Sequence, residues 1–343
     1  MWTNQMLGTL LWIIMLAGCK KSGTSSGSAA SVADTGFAKG SDVSWLTQME
    51  GAGYQFYNAS GASMDCMQLV KSLGINAIRL RVWVNPVGGW NGTADVVAKA
   101  LRAKQLGLRV MIDFHYSDTW ADPGHQTKPA AWAGYDFADL TNTVYTYTLG
   151  VLDTLKMNGV IPAWVQVGNE TDNGMLWPDG MASTNMANFA ALVNAGYKAV
   201  KAVSDSIKVI VHISNGYNNT TFRWMFDGLT ANGANWDIIG MSLYPSAATW
   251  QSYNDSCLAN MNDMVSRYNK PVMICEIGMP VSEAAICDSF VTDLIGKVRS
   301  VAGGNGLGVF YWEPESYNNW QGYGMGAFDN TGKPTVAMNA FMN

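Results

Sequence analysis

Lys71-Ser72-Leu73-Gly74, then Ile75-Asn76, then Ala77-Ile78-Arg79-Leu80-Arg81-Val82-Trp83 reads as a helix end, a glycine, a short turn and a β-branched strand. The same unit returns at Lys104-Gln105-Leu106-Gly107 before Arg109 to His115, and at Lys156-Met157-Asn158-Gly159 before Trp164 to Glu170. It returns again at Ala231-Asn232-Gly233 before Asp237 to Tyr244. A glycine just past a helix end takes the left-handed cap. The strands that follow lack clean polar alternation, as parallel strands buried on both faces do. Lys208 to Ser214, Pro271 to Glu276 and Gly308 to Trp312 supply three more strands, and Ala33 to Trp45 contains a first one around Val43. Eight strands alternating with helices over about 300 residues predict a single-domain α/β fold, the closed (β/α)8 (TIM) barrel. An open doubly wound sheet is the competing architecture, but no early strand is followed by the G-x-G-x-x-G turn such sheets use for dinucleotides.

The barrel should occupy residues 38–343, because what precedes it reads differently. Met6 to Gly18 is an apolar run too short for an ordinary membrane-spanning helix, and it fits an export signal over residues 1–18. The run ends Leu16-Ala17-Gly18-Cys19, which resembles the lipobox of bacterial lipoproteins. That resemblance implies acylation of Cys19, a flexible Gly/Ser tether over 19–37, and a secreted protein held on a membrane at the cell surface or facing the periplasm. An ordinary secretory signal with an incidental Cys19 is the alternative.

Composition narrows the partners. A net charge of −5 argues against nucleic acid, whose phosphates require a basic face. It suits a neutral polymer, and the 14 Trp and 14 Tyr offer flat faces with polar handles of the kind sugar rings stack on. With three His in the chain and no CxxC, no metal or other cofactor is expected. Nothing in the sequence calls for a second subunit, and a monomer is expected.

In such barrels reactive groups sit at the C-terminal ends of strands. Two carboxylates stand out there: Glu170, closing an apolar strand, and Glu276, closing Val272-Met273-Ile274-Cys275. A carboxylate ending a buried strand is costly unless paired or used. On the fourth and seventh strands the two could face each other across the barrel mouth, and cleavage of a glycosidic bond needs such a pair. His115, Asp118, Asn169, His212, Tyr244 and Trp312 lie at or just beyond other strand ends. Arg79 and Arg81 share one strand face, and spacing does not say which one serves a site.

Arg79 to Pro86, the string His115-Tyr116-Ser117-Asp118-Thr119-Trp120-Ala121-Asp122-Pro123, Gly168-Asn169-Glu170 with Leu176-Trp177-Pro178, and Tyr311-Trp312-Glu313-Pro314 resemble glycoside hydrolase family 53. The likeness runs from about Gly40 to Phe341. It implies an endo-acting arabinogalactan β-1,4-galactanase with a retaining mechanism, Glu170 as acid/base and Glu276 as nucleophile. It further implies that Asn169 bonds the sugar 2-hydroxyl, Tyr244 orients Glu276 and Arg79 supports it electrostatically. His115 and Asp118 would contact sugar, and Trp312 would floor the subsite holding the attacked ring. Some bacterial relatives bind calcium in an acidic loop after the seventh strand. Met279 to Asp288 is short and poor in ligand oxygens, so no such site is expected. The competing functions are a retaining barrel hydrolase acting on mannan or xylan, and a surface lipoprotein that binds galactan without cutting it. A metal-dependent barrel hydrolase fits the thin His supply poorly.

Four cysteines follow Cys19. Cys257 and Cys287, each near the start of a helix, are expected to pair, while Cys275 is expected to face the helix layer beside an inward Glu276.

Overall fold

A computed structural model describes residues 36–342. The expected signal, Cys19 and most of the tether fall outside that range. Strands β1 (Ala38–Asp42), β2 (Ala77–Val82), β3 (Arg109–Phe114), β4 (Trp164–Val167), β5 (Lys208–Ile213), β6 (Ile238–Leu243), β7 (Val272–Ile277) and β8 (Gly306–Trp312) pair in sequence order. All are parallel, and β8 closes on β1. Around them lie helices α1 (Leu46–Gly51), α2 (Cys66–Ser72), α3 (Thr93–Gln105), α4 (Phe137–Met157), α5 (Met186–Val203), α6 (Asn219–Ala231), α7 (Trp250–Tyr268) and α8 (Ala284–Ser300). The architecture is the predicted (β/α)8 barrel. The first strand lies earlier than expected and ends at Asp42, just before Val43. Phe37, read as tether, already belongs to the fold: its carbonyl accepts from Asn76 Nδ2 and its ring lies under Arg299.

Local chemistry sets these boundaries. Asp65, Asp136, Asn185 and Asn218 cap α2, α4, α5 and α6, each accepting a backbone N–H of the first turn. Gly74, at φ 95°, ends the α2 segment against the Phe341 carbonyl, where a Cβ would sit 2.1 Å from that oxygen.

Inside the barrel, alternate residues point to the lumen. Ala38, Ala77, Met111, Trp164, Ile210, Ile238, Met273, Cys275 and Phe310 form an apolar plug at its lower end, separate from the larger core between barrel and helices. The residues two further along several strands are polar: Arg79, Asp113, Gln166 and His212, all fully buried.

β7 departs from alternation. Ile274 pairs with Met241 and Glu276 with Ser242, so Cys275 has no opposite number on β6. This is a β-bulge, which sets two residues against one. Val272, Ile274 and Ile277 pack outward, whereas Met273, Cys275 and Glu276 all face the lumen. The expectation that Cys275 faces the helices is therefore corrected, because the bulge turns two consecutive side chains the same way.

The expected Cys257–Cys287 disulfide is also absent; both thiols are free and buried. Cys287, on α8, points at the Tyr311 hydroxyl of β8 (3.6 Å), and Cys257, on α7, packs against Gly216 after β5. Neighbouring helices carry them, but each faces its own strands rather than the other.

Candidate active site

Arg79 organises the upper lumen. Fully buried, it donates through Nε to Gln166 Oε1 (2.7 Å) and through Nη1 to Asp42 Oδ2 (2.6 Å). Its Nη2 faces Asp113 Oδ2 (2.9 Å), Asn169 Oδ1 (2.8 Å) and Glu276 Oε1 (2.8 Å). A guanidinium offers five donors in a rigid fork and does not deprotonate in proteins, so it can hold this many acceptors in place. The open choice between Arg79 and Arg81 is settled by geometry. Arg81 pairs with Glu313 and lies over the rings of Trp45, Trp83 and Trp120 at 5.1, 5.2 and 4.4 Å.

Glu276 is grasped from two sides. Arg79 holds Oε1, and the half-buried Tyr244 donates its hydroxyl to Oε2 at 2.9 Å. Burial pushes this carboxyl up, and Arg79 opposes that most strongly; Asp113 and Asp42 add to the rise, while the Tyr244 hydrogen bond opposes it. Glu170 has a less supported place. Burial raises its carboxyl well above the ordinary value and the charge of Glu276 raises it further, whereas the Ser242 hydroxyl and the Arg79 charge act the other way. The two carboxyls are thus electrically coupled, with the cation in direct contact with only one of them. Glu170 also stands at φ 42°, a left-handed conformation two residues beyond Gly168, which is likewise left-handed. That backbone excursion brings an acidic side chain to the rim just past the end of β4.

The remaining candidates take defined places. Asn169 donates from Nδ2 to the Ala121 carbonyl at 2.9 Å, leaving one amide hydrogen for another partner. His115 is buried; its Nδ1 accepts from Trp83 Nε1 and from the Ala121 amide, both at 3.1 Å, so the proton sits on Nε2, 3.0 Å from Asp113 Oδ2. Asp118 accepts backbone N–H groups of Asn85 and Ala130 on its two oxygens, which ties the loops after β2 and β3 together. Trp312 presents a half-buried ring supported edgewise by Trp45 and Tyr323 and at a tilt by Trp120. Trp132, one of the loop tryptophans, is packed against Tyr147 inside the fold. His212 is held down to about 3 by burial and then by the Arg79 charge, so it is neutral. Among the described residues no three His, Cys, Asp or Glu side chains converge as metal ligands would.

Three members of this network were not singled out from sequence. Asp42 closes β1, whose position was read too late. Gln166 and Ser242 sit two residues before Gly168 and Tyr244, on the lumen face of their strands. That parity is the signal that could have found them.

The glycosyl hydrolase family 53 model matches residues 38–289 and 283–341. A probable arabinogalactan endo-β-1,4-galactanase A of Aspergillus fumigatus is 35% identical over 306 residues, covering 82% of this chain and 85% of the relative. An arabinogalactan endo-β-1,4-galactanase of Thermothelomyces thermophilus is 34% identical over 319 residues, covering 85% and 93%. A solved fungal β-1,4-galactanase superposes with a TM-score of 0.81 at 32% identity, covering 88% of this chain and 98% of that one. With a barrel that carries paired glutamates at its mouth and a family match along its whole length, this chain belongs to glycosyl hydrolase family 53.

Proposed function

We propose that this protein hydrolyses internal β-1,4-galactosidic bonds of galactan with retention of configuration. The contact that carries the reading is Arg79 with Glu276, beside a Glu170 whose proton is held by burial and by the charge of Glu276. Arg79 favours the charged form of Glu276 against the burial that raises it to about 7, so that the carboxylate can attack the anomeric carbon, while Glu170 is held protonated well above its ordinary range to meet the leaving oxygen. In retaining sites the two carboxyls stand about 5–5.5 Å apart, too close for an intervening water. Attack by Glu276 forms a glycosyl ester while Glu170 gives its proton to the departing chain. Glu170, now a carboxylate, takes a proton from water, and that water breaks the ester. Tyr244 and Arg79 fix the attacking oxygen, the free amide hydrogen of Asn169 is available to the 2-hydroxyl, and Trp312 floors the reacting ring. Acylation of Cys19 would hold the enzyme at a membrane surface, and mass spectrometry of the mature N-terminus tests it: an unmodified terminus several residues further on removes that part of the reading.

A reducing-sugar assay across β-1,4-galactan, β-mannan and β-xylan tests the activity. Galactan should be cut with release of oligosaccharides. Preference for mannan or xylan would move the enzyme to the related specificities, and binding of galactan without cleavage would make it a capture protein.

A further inference from the structure

The rim made of strand starts and helix ends lies opposite the active-site mouth, and its charge is one-sided. Lys71, Lys104, Lys156 and Arg299 sit in the last turns of α2, α3, α4 and α8, Lys208 opens β5, and Lys270 precedes β7. All but the half-buried Lys270 are exposed, and among the described residues none of the six forms an ion pair. Lys71 donates to the Leu106 carbonyl at 2.6 Å and Lys156 to the Val203 carbonyl at 2.9 Å. Each thus reaches the end of the next helix, where the helix dipole favours a cation, and a neutral carbonyl leaves the charge standing. The seven turns from helix to strand, α2–β2 through α8–β8, hold two acids, Asp205 and Asp237, and Asp237 is taken by Lys201. The opposite rim reverses the sign. The loops after β3 and β4 carry Asp118, Asp122, Asp136, Asp172 and Asp179 against Lys128. Two apolar side chains stand out on the basic rim: Met157, 79% exposed, and Ile161, 46% exposed, flank the α4–β4 turn beside Lys156. The chain from Cys19 arrives at this rim too, because Phe37 leads directly into β1. Residues 19 to 36 span at most about 60 Å, which keeps the rim within reach of a surface holding Cys19.

We propose that this rim rests on the anionic lipid face of the membrane that carries the anchor, with the active-site mouth turned to the other side. The proposal rests on acylation of Cys19 and adds a second contact to it: a lipid attachment and a basic patch together hold what either alone holds weakly. The surface potential of anionic lipid draws the lysines and fades over roughly 8–10 Å in physiological salt. Met157 and Ile161 enter the interface between them, while the lysine stems lie along it with their ammonium groups at the headgroups. The acidic mouth is repelled by the same lipid, so both rims favour one orientation. A neutral polysaccharide approaches that mouth without a charge penalty.

The test uses the full chain, recovered from membranes and reconstituted on phosphatidylcholine vesicles with or without phosphatidylglycerol. Cys66, Cys257, Cys275 and Cys287 are buried, so a dye can be placed selectively on Ile161→Cys at the basic rim. A second dye position is Val87→Cys, 97% exposed in the loop after β2 at the mouth. A lipid-borne quencher should reach the dye at 161 on vesicles containing phosphatidylglycerol, and much less on phosphatidylcholine alone or in high salt. It should leave the dye at 87 untouched throughout. Lys104, Lys208 and Lys270 have no side-chain hydrogen bond among the described residues. Lys104→Gln, Lys208→Gln and Lys270→Gln combined should weaken docking about fivefold per charge, or about 100-fold together. Activity on soluble galactan should stay at the wild-type level. Equal quenching at 161 on both vesicle types, equal quenching at 161 and 87, or a triple variant that docks like the wild type overturns the proposal. A response at 161 that follows protein concentration and ignores lipid composition assigns the face to a second copy of this chain, and overturns it as well. Mass spectrometry of Cys19 in the same sample separates the two readings. An unacylated terminus sinks the anchor, and the same chain simply mixed with the vesicles still reports through the dye at 161 whether the rim binds anionic lipid.

Discussion

The same eight strands fill the two ends of the barrel lumen with opposite materials. At the lower end, Phe310, Trp164, Met111, Ile210 and Met273 make an apolar plug with no partner requirement beyond shape. A few residues higher, one buried guanidinium faces three carboxyl groups, from Asp42, Asp113 and Glu276, with the carboxyl of Glu170 nearby. The plug stabilises the fold through burial, at about 1.5–3 kcal/mol for each large side chain. The upper network is short of positive charge and keeps Glu170 and Glu276 above their ordinary range, an arrangement that costs stability and suits chemistry. Mutations at the two ends should therefore fail in different currencies.

The largest effect should come from Glu276→Ala. Loss of the nucleophile should lower activity on galactan by about 10⁴-fold or more, the scale seen when a nucleophile is removed. Its melting temperature should match or exceed that of the wild type, since one of the carboxylates crowding Arg79 is gone. A variant that unfolds, or that cleaves at near-native rate, breaks the contrast. Glu170→Ala should follow, losing about 10²- to 10⁴-fold on galactan. It should still be glycosylated by an aryl galactoside with a good leaving group, and azide should then yield the β-galactosyl azide. Azide with Glu276→Ala should give the α-product, and identical anomers from the two variants would contradict the assigned roles.

Phe310→Ala probes the other end. It should destabilise by about 3–5 kcal/mol in a chemical-denaturation experiment while kcat at low temperature stays near native. A collapse of kcat in the folded variant would mean that the plug and the site are not separable. A smaller effect is expected at Glu315, fully buried beside Glu313, where burial and then the Glu313 charge raise the carboxyl well above its ordinary value. Because the folded protein holds this proton more tightly than the unfolded chain, its contribution to stability falls as pH rises above the ordinary glutamate range, about 4.3. Glu315→Gln should remove that fall. Its melting temperature should gain on the wild type progressively from pH 5 to pH 8, and a constant offset would argue against a buried proton. The smallest effect should be none: reductant should leave the melting temperature unchanged, and peptide mapping without reduction should find Cys257 and Cys287 unlinked.

Much of the upper network was readable because its members sit at strand ends in a repeating βα pattern. Arg79, His115, Asn169, Glu170, Tyr244, Glu276 and Trp312 all lie where counting along that pattern leads. What resisted reading depends on other strands. Asp42 was hidden because β1 lacks the helix–glycine lead-in that marks four of the later strands. The choice of Arg79 over Arg81 needed the positions of Asp42 and Glu276, which lie on distant segments. Asp118 has its oxygens on backbone amides of two loops, a contact no spacing rule anticipates. The disulfide expectation used the proximity of two helices and ignored their rotation about their own axes. The orientation of Cys275 failed because simple alternation has no place for an extra residue.

That extra residue makes the position of Glu276 a matter of counting. Positional scanning at Cys275 should look permissive for small apolar side chains, because the site asks only for something that fits beside Gly240, whose missing Cβ leaves room for the thiol. Deletion of the same residue would bring β7 into regular register with β6 and leave the order Met273 inward, Ile274 outward, Glu276 inward, so the carboxylate would keep both its place opposite Ser242 and its lumen face. A library of single-codon deletions should thus find this position the most forgiving one in β7, because it is the residue that has no opposite number on β6.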